Sequence, residues 1–354
     1  MSDSTVWVGL DLGLRRTRVS VVDALGAELL NEECETNVDA LKTMLGSFPP
    51  ERIGLIAAES GNDTHIVRKL RQSGFPVAIF EARQASKFLA IRRNKTDAGD
   101  ANGLADLARL GRNSVSQVYL KSPECQQLRG LLVMRRRLVM MRVAAVGSIR
   151  SRLGGHGLVL PPGGAPGQLR QLIKSQLAAL GKSEARALEA DLEPLVDLCE
   201  SLGTYLRKLD AGLAKTARSH PVCSLLMEVP GVGPICAISF YTAIDDPTRF
   251  RLASHVGAYL GLSPRRQQSG RKSRTAGITK SGNKLTRTNL VIAAMVFGRA
   301  APDCALKRWY LALRERAGPG RARVALARKL AVILLAMWKS GTNFQFHGTG
   351  SSNG

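Results

Sequence analysis

Val6-Trp7-Val8-Gly9-Leu10-Asp11-Leu12-Gly13 decides how the first third of the chain is read. β-Branched and apolar residues without proline, closed by glycine, predict a buried strand. A carboxylate at the end of such a strand is expensive to bury alone. Asp11 therefore calls for a metal ion or a cation beside it. We read Asp11 as the central member of a set of acids that later segments bring to it.

Working outward, residues 5–12, 17–23 and 27–35 read as three successive strands, with a hairpin turn at Asp23-Ala24-Leu25-Gly26. A helix over about 38–47 stops before Pro49-Pro50. Ile53-Gly54-Leu55-Ile56-Ala57-Ala58 is a continuous apolar run suited to a buried parallel strand, and it ends on Glu59. A helix over about 63–72 follows, then a last strand, Phe75-Pro76-Val77-Ala78-Ile79-Phe80, then further helices. Three strands, helix, strand, helix, strand, helix is the order of the ribonuclease-H-like (RuvC-like) fold, and right-handed crossovers make its sheet mixed. Asp11 and Glu59 both fall at the C-terminal ends of apolar strands, where α/β sheets place their ligands.

Arg92-Arg93-Asn94-Lys95-Thr96-Asp97-Ala98-Gly99-Asp100-Ala101 comes next. Thr96 suits the N-cap of a helix from Asp97 to about Leu110. Asp97 and Asp100 are three apart and share a face. The helix dipole relieves part of their repulsion, so a purely structural role is one reading. The other joins them to Asp11 and Glu59 as four hard-oxygen ligands on three elements. Mg²⁺ favours such a set, with few carboxylates, several waters and substrate phosphate. Two such ions about 4 Å apart clamp the attacking and leaving oxygens of a phosphodiester. Arg92, Arg93 and Lys95 are placed to meet phosphate beside the acids.

The 354 residues allow two or three domains with ample core. Net charge is +23, and its location says more than its size: 37 of the 51 Lys/Arg but only 13 of the 28 Asp/Glu follow residue 110. The whole positive excess lies there. A near-neutral, acid-bearing part joined to a strongly basic one suits a nucleic-acid enzyme. Aromatics at 5% argue against a stacking-rich single-strand binder. Six Cys and five His, with no C-x-x-C, argue against structural zinc, and free thiols suit a reducing cytoplasm. The N-terminus does not read as a signal peptide, and no apolar run is long enough to span a bilayer, so no membrane partner is expected.

Residues 123–153 and about 183–218 read as two long helices around a Gly/Pro-rich loop at 154–167. They predict an antiparallel coiled-coil arm, with a plain helical linker as the alternative. Val229-Pro230-Gly231-Val232-Gly233-Pro234 reads either as a helix-hairpin-helix turn approaching phosphate or as a simple connection. Between Asp246 and Asp303 there are 11 Lys/Arg and no acid. This segment predicts an extended basic loop over residues 260–283, ahead of a helix at about 283–300. Arg265, Arg266, Arg271, Lys272, Arg274, Lys280 and Lys284 are its candidate phosphate contacts. A hydroxyl among these cations, Ser269 or Ser273, could act as a nucleophile, because cations stabilise its alkoxide and a pentacovalent phosphorus. On residue type alone, either serine is more often a phosphate donor than a nucleophile. The expected layout is a catalytic domain at 1–118, the arm at 119–218, a mainly helical domain at 219–340 and a disordered tail at 341–354.

At this point the residues resemble a known family, the DEDD-type insertion-sequence transposases. These are bridge-RNA-guided recombinases with a Holliday-junction-resolvase-like N-terminal domain. The resemblance rests on Gly9-Leu10-Asp11, Glu59, Lys95-Thr96-Asp97 with Asp100-Ala101, Val229-Pro230-Gly231-Val232-Gly233-Pro234, Gly261-Leu262-Ser263-Pro264, Ser269-Gly270 and Gly277-Ile278-Thr279-Lys280-Ser281-Gly282-Asn283. It implies that Asp11, Glu59, Asp97 and Asp100 bind Mg²⁺ or Mn²⁺ and that Ser269 forms a phosphoserine link to DNA. It also implies a homo-oligomer, dimer or tetramer, around donor DNA, target DNA and a structured non-coding guide RNA. The two parts of each active site can then come from different subunits. A bacterial cytoplasmic, nucleoid-associated location follows. The chain departs from the family pattern in three places. One residue rather than two separates Glu59 from Gly61, Ala98-Gly99 fills the Asp pair, and Gln268 precedes Ser269 where a second serine is frequent.

Other classes compete. A Holliday-junction-type nuclease would use the same acids with a metal-bound water. An actin-like phosphotransferase would need a second Asp-Gly phosphate loop, which the sequence lacks. A non-catalytic RNA-binding protein would not need Asp11.

Overall fold

A computed structural model describes residues 4–59, 61, 64–90, 96–110, 115–161, 167–269 and 272–346. The chain divides into two compact units, Met1–Leu120 and Lys121–Gly354.

The first unit is built on a five-stranded sheet of order β3-β2-β1-β4-β5. Its strands are β1 (Val6–Leu12), β2 (Arg16–Val22), β3 (Glu28–Glu35), β4 (Ile53–Glu59) and β5 (Val77–Phe80). β1, β4 and β5 are parallel, and β2 runs antiparallel to both β1 and β3. This is the mixed α/β sheet expected from the order of elements. Strand alternation splits the core in two. Val6, Val8 and Leu10 of β1 join Ile56 and Ala58 of β4 beneath α1 (Val38–Met44) and α2 (Thr64–Gln72). Leu55 and Ala57 of β4 face the other way, with Ala85 of α3 (Ala82–Leu89) and Leu104, Leu107 and Ala108 of α4 (Asp97–Leu110).

The second unit is mostly helical. α5 (Pro123–Gly154) and α7 (Lys182–Ser219) are about 48 and 57 Å long at 1.5 Å per residue. α6 (Leu169–Leu177) closes their far end, where Ile149, Leu153, Ile173, Leu188 and Leu192 share one core. Arg170 ties α6 to α7 through Glu193 at 2.5 Å, Asp197 at 2.7 Å and Glu200 at 3.2 Å. The near ends of α5 and α7, at Leu128, Leu132 and Leu213, join a second core. That core includes α8 (Pro221–Leu226), α9 (Pro234–Ile244), α10 (His255–Tyr259), α11 (Lys284–Ala300), α12 (Ala305–Ala317) and α13 (Pro319–Ser340).

One feature differs from the sequence reading, and another follows one of its two alternatives, a simple connection. The basic stretch expected as an extended loop is an antiparallel ribbon, β6 (Pro264–Ser269) and β7 (Lys272–Ile278). The turn at 229–234 connects α8 to α9, and Gly231 sits at φ +85° with its Cα against α11. A Cβ there would fall 2.9 Å from the Phe297 nitrogen and closer still to the Ala293 carbonyl oxygen. Helix packing therefore accounts for Gly231, without a phosphate. The chain is tied down as far as Phe344, whose N–H donates to Glu228 Oε2 at 3.2 Å and whose ring meets Phe297 edge-on. Residues 347–354 of the expected tail lie outside the described residues. Among the described residues no single helix is long and apolar enough to cross a membrane.

Candidate active site

Asp11 and Glu59 are set by the parallel pairing of β1 and β4. The last paired residues are Leu10 and Ala58, and each acid is the next residue of its strand. Leu10 and Ala58 point into the α1/α2 core. Alternation then turns Asp11 and Glu59 to the opposite face, which α4 covers. Both are half-buried.

α4 lies against that face antiparallel to β1. At its C-terminal end, Arg109 Nη1 donates to the Ala24 carbonyl at 3.2 Å, in the turn between β2 and β3. At its N-terminal end, Asn31 Nδ2 donates to the Ala98 carbonyl at 3.2 Å. The first turn of α4 is thereby carried to the end of the sheet where Asp11 and Glu59 sit. Thr96 caps it: its Oγ1 accepts from the Gly99 N–H at 3.0 Å, and its carbonyl accepts from the Asp100 N–H at 2.8 Å. Asp100 is half-buried.

Residues without a functional appearance hold this arrangement. Gly9 stands where α4 crosses β1, and a Cβ there would come within 2.9 Å of the Leu104 carbonyl carbon and closer to Ala101 and Ala105 backbone atoms. Arg18, the cross-strand partner of Asp11, donates from Nε to Asn31 Oδ1 at 2.8 Å. Glu28 Oε2 accepts from Asn31 Nδ2 at 2.8 Å and from Asn102 Nδ2 at 2.7 Å, linking β3 to α4. Sequence reading found no signal for these residues: Glu28 and Asn31, on the edge strand β3, read as solvent-facing, and Arg18 of β2 and Asn102 of α4 belong to no motif.

The donors are hard oxygens, which fits Mg²⁺ or Mn²⁺ rather than zinc. Among the described residues no three carboxylate, histidine or cysteine groups converge on one ion position. The side chain of Asp97 lies outside the described residues, as do Arg92, Arg93 and Lys95.

In the second unit, the β6–β7 ribbon pairs Ser269 with Lys272 and Ser273 with Gln268. Arg271 and the side chains of Arg266, Ser269, Lys272, Ser273 and Arg274 lie outside the described residues. Arg265, Lys280 and Lys284 are exposed. The ribbon's base is pinned by Arg287, a buried cation that sequence reading counted only as charge. Its Nη1 donates to the Leu260 and Ser281 carbonyls, both at 2.9 Å. Burial pushes its pKa below the usual arginine value.

Residues 8–156 match the DEDD-type IS110 transposase family model, and residues 223–309 match the Transposase IS116/IS110/IS902 family model. The chain is 31% identical over 291 residues to the transposase for insertion sequence element IS1111A of Coxiella burnetii, covering 81% of this chain and 78% of that one. It is 27% identical over 346 residues to the transposase for insertion sequence element IS1328 of Yersinia enterocolitica, covering 95% and 98%. The chain belongs to the IS110/IS116 family of insertion-sequence transposases. As a transposase it acts on DNA. Domains of the DEDD type typically work with divalent metal ions, and the DEDD match begins within β1 of this transposase, at Val8.

Proposed function

We propose that this transposase cuts and rejoins DNA through two chemically distinct parts, an acidic divalent-metal site and a serine on a basic ribbon. One observation carries the reading: Asp11, Glu59 and the capped first turn of α4 share one end and one face of the sheet. Asp11, Glu59, Asp97 and Asp100 would hold Mg²⁺ or Mn²⁺, which when bound offsets phosphate charge and stabilises the leaving oxygen. Arg92, Arg93 and Lys95 would steer phosphate to it.

Ser269 would be the nucleophile. Its cross-strand partner is a cation, Lys272, whereas Ser273 is paired with Gln268. Ser269 Oγ attacks a DNA phosphorus and gives up its proton. The bond from phosphorus to the deoxyribose oxygen breaks, and that oxygen takes up a proton. Attack by the hydroxyl of a second strand on the phosphoserine reverses these changes, restoring a phosphodiester and the free serine. Arg265, Arg266, Arg271, Arg274, Lys280 and Lys284 would grip the backbone around it.

A structured guide RNA, a dimeric or tetrameric assembly and a place at the bacterial nucleoid complete the proposal. They draw support from the family resemblance and from the basic charge after residue 110. The test is metal-dependent cleavage of element-end DNA by purified protein with its flanking non-coding RNA. Asp11→Asn should abolish cleavage while leaving DNA affinity near wild type. Cleavage that persists in chelator, or in Asp11→Asn, would overturn the metal assignment. Free ends with no protein adduct would instead favour a water-using nuclease.

A further inference from the structure

The second unit carries a groove whose residues, Lys280 apart, have no role in the chemistry above. It lies between the base of the β6–β7 ribbon and the α12–α13 pair, with a volume of about 1190 Å³. Its walls are apolar: Ile278 at the ribbon's base, Trp309 from α12, and Val324 and Val332 from α13. Its charged lining has one sign, with Lys280, Arg321, Arg328 and Lys329 and no acid. On α13 the spacing of Arg321, Val324, Arg328 and Val332 keeps cations and apolar contacts on one stripe. Lys329 Nζ stands 4.0 Å from the centre of the Trp309 ring. Gly257 leaves room for Arg328, since a Cβ there would lie 2.9 Å from its Nε.

An apolar floor alone would suit a protein segment. Four cations with no acid among the described lining residues repel one another and call for an anion. A nucleotide offers both parts, a flat base for the floor and a phosphate for the rim. A base inside a duplex is stacked and cannot enter, so the occupant must be unstacked. The groove is continuous with the ribbon. Pro264 and Ile278, paired at the base, both line it, and Ser269 lies five residues along β6, about 17 Å at roughly 3.3 Å per residue. We propose that this groove takes an unstacked base of the DNA strand whose phosphate the ribbon grips. The choice of DNA rests on the ribbon's proposed role above; the base-binding chemistry does not. One such seat is compatible with a chain poor in aromatics, since it needs a single stacking ring.

The experiment measures binding of the full chain to a short oligothymidylate, an abasic DNA strand of equal length and an equal-length oligouridylate. Wild type should prefer oligothymidylate to the abasic strand by about tenfold, as one stacked base supplies. Trp309→Ala should bring that ratio close to unity, Trp309→Phe should largely keep it, and thermal melting checks that both variants fold. Ser269→Ala should keep the ratio while losing any covalent adduct, which separates this proposal from the nucleophile assignment. No base preference in wild type, or a full preference in Trp309→Ala, would overturn the proposal. A stronger, Trp309-dependent preference for oligouridylate would overturn the assignment to DNA. A change in sedimenting mass in Trp309→Ala with unchanged base preference would make the groove a seat for a second copy and overturn it too.

Discussion

Gly9→Ala tests how the acidic site is held. A Cβ at Gly9 meets α4 backbone, not the end of a flexible side chain: the Leu104 carbonyl carbon at 2.9 Å, with Ala101 and Ala105 atoms nearer. Ordinary contacts begin at about 3.5 Å, so α4 has to retreat by roughly 0.6 Å at Leu104 and by about 1.5 Å at Ala101. Overpacking of this kind destabilises by about 1–3 kcal/mol. A functional effect should accompany it, because the retreat carries the first turn of α4 away from Asp11 and Glu59. A misplacement near 1 Å costs on the order of 100-fold in rate. The assay is the DNA cleavage rate, read well below the melting transition, beside a thermal melt of the same variant. A variant that melts lower but cleaves at the wild-type rate would break the link between this crossing and the site. A variant that matches wild type in both would refute the packing argument itself.

Other outcomes follow from individual residues. Arg287→Met leaves the Leu260 and Ser281 carbonyls without their cation and should destabilise the second unit by about 2 kcal/mol or more, read by thermal melting. Burial pushes the Cys236 thiol up to about 12 from its ordinary 9.0. The folded chain therefore keeps this proton while the unfolded chain releases it above pH 9. The stability it contributes is full below pH 9 and falls as pH rises toward 12, by about 1.4 kcal/mol per pH unit. Cys236→Ala should flatten that slope in melts between pH 9 and 11. Nucleic-acid affinity should fall steeply with salt, and Arg265→Ala and Lys280→Ala should each reduce the logarithmic slope by about 1. A flat response would contradict a phosphate-gripping second unit.

The sheet was legible because its strands carry a clean period. Val6, Val8 and Leu10 alternate with Trp7, Gly9 and Asp11, and the short apolar run from Ile53 to Ala58 suits a buried strand. Thr96 announced the start of α4 through its capping oxygen. Where period and capping were absent, the sequence was silent. Residues 264–278 are charged, polar and glycine-rich, so neither strand of the ribbon shows an apolar face, and pairing across the turn makes it a ribbon. α6 is nine residues long, too short to stand out beside a Gly/Pro-rich loop, yet Leu169, Ile173 and Leu177 fix it to α5 and α7. Arg287 looks like every other arginine until its two carbonyl partners, Leu260 and Ser281, are brought to it. Gly9 looked like part of a strand, and only the helix crossing above it explains why no side chain fits.

The proposed chemistry turns on a covalent link between Ser269 and DNA that depends on the acids of the first unit. The most direct measurement is mass spectrometry of the protein–DNA adduct trapped during strand exchange. A phosphodeoxynucleotide on the peptide carrying Ser269, absent in Ser269→Ala and in Asp11→Ala, is the predicted result. An adduct that survives Ser269→Ala on Ser273, or forms without Asp11, would contradict it.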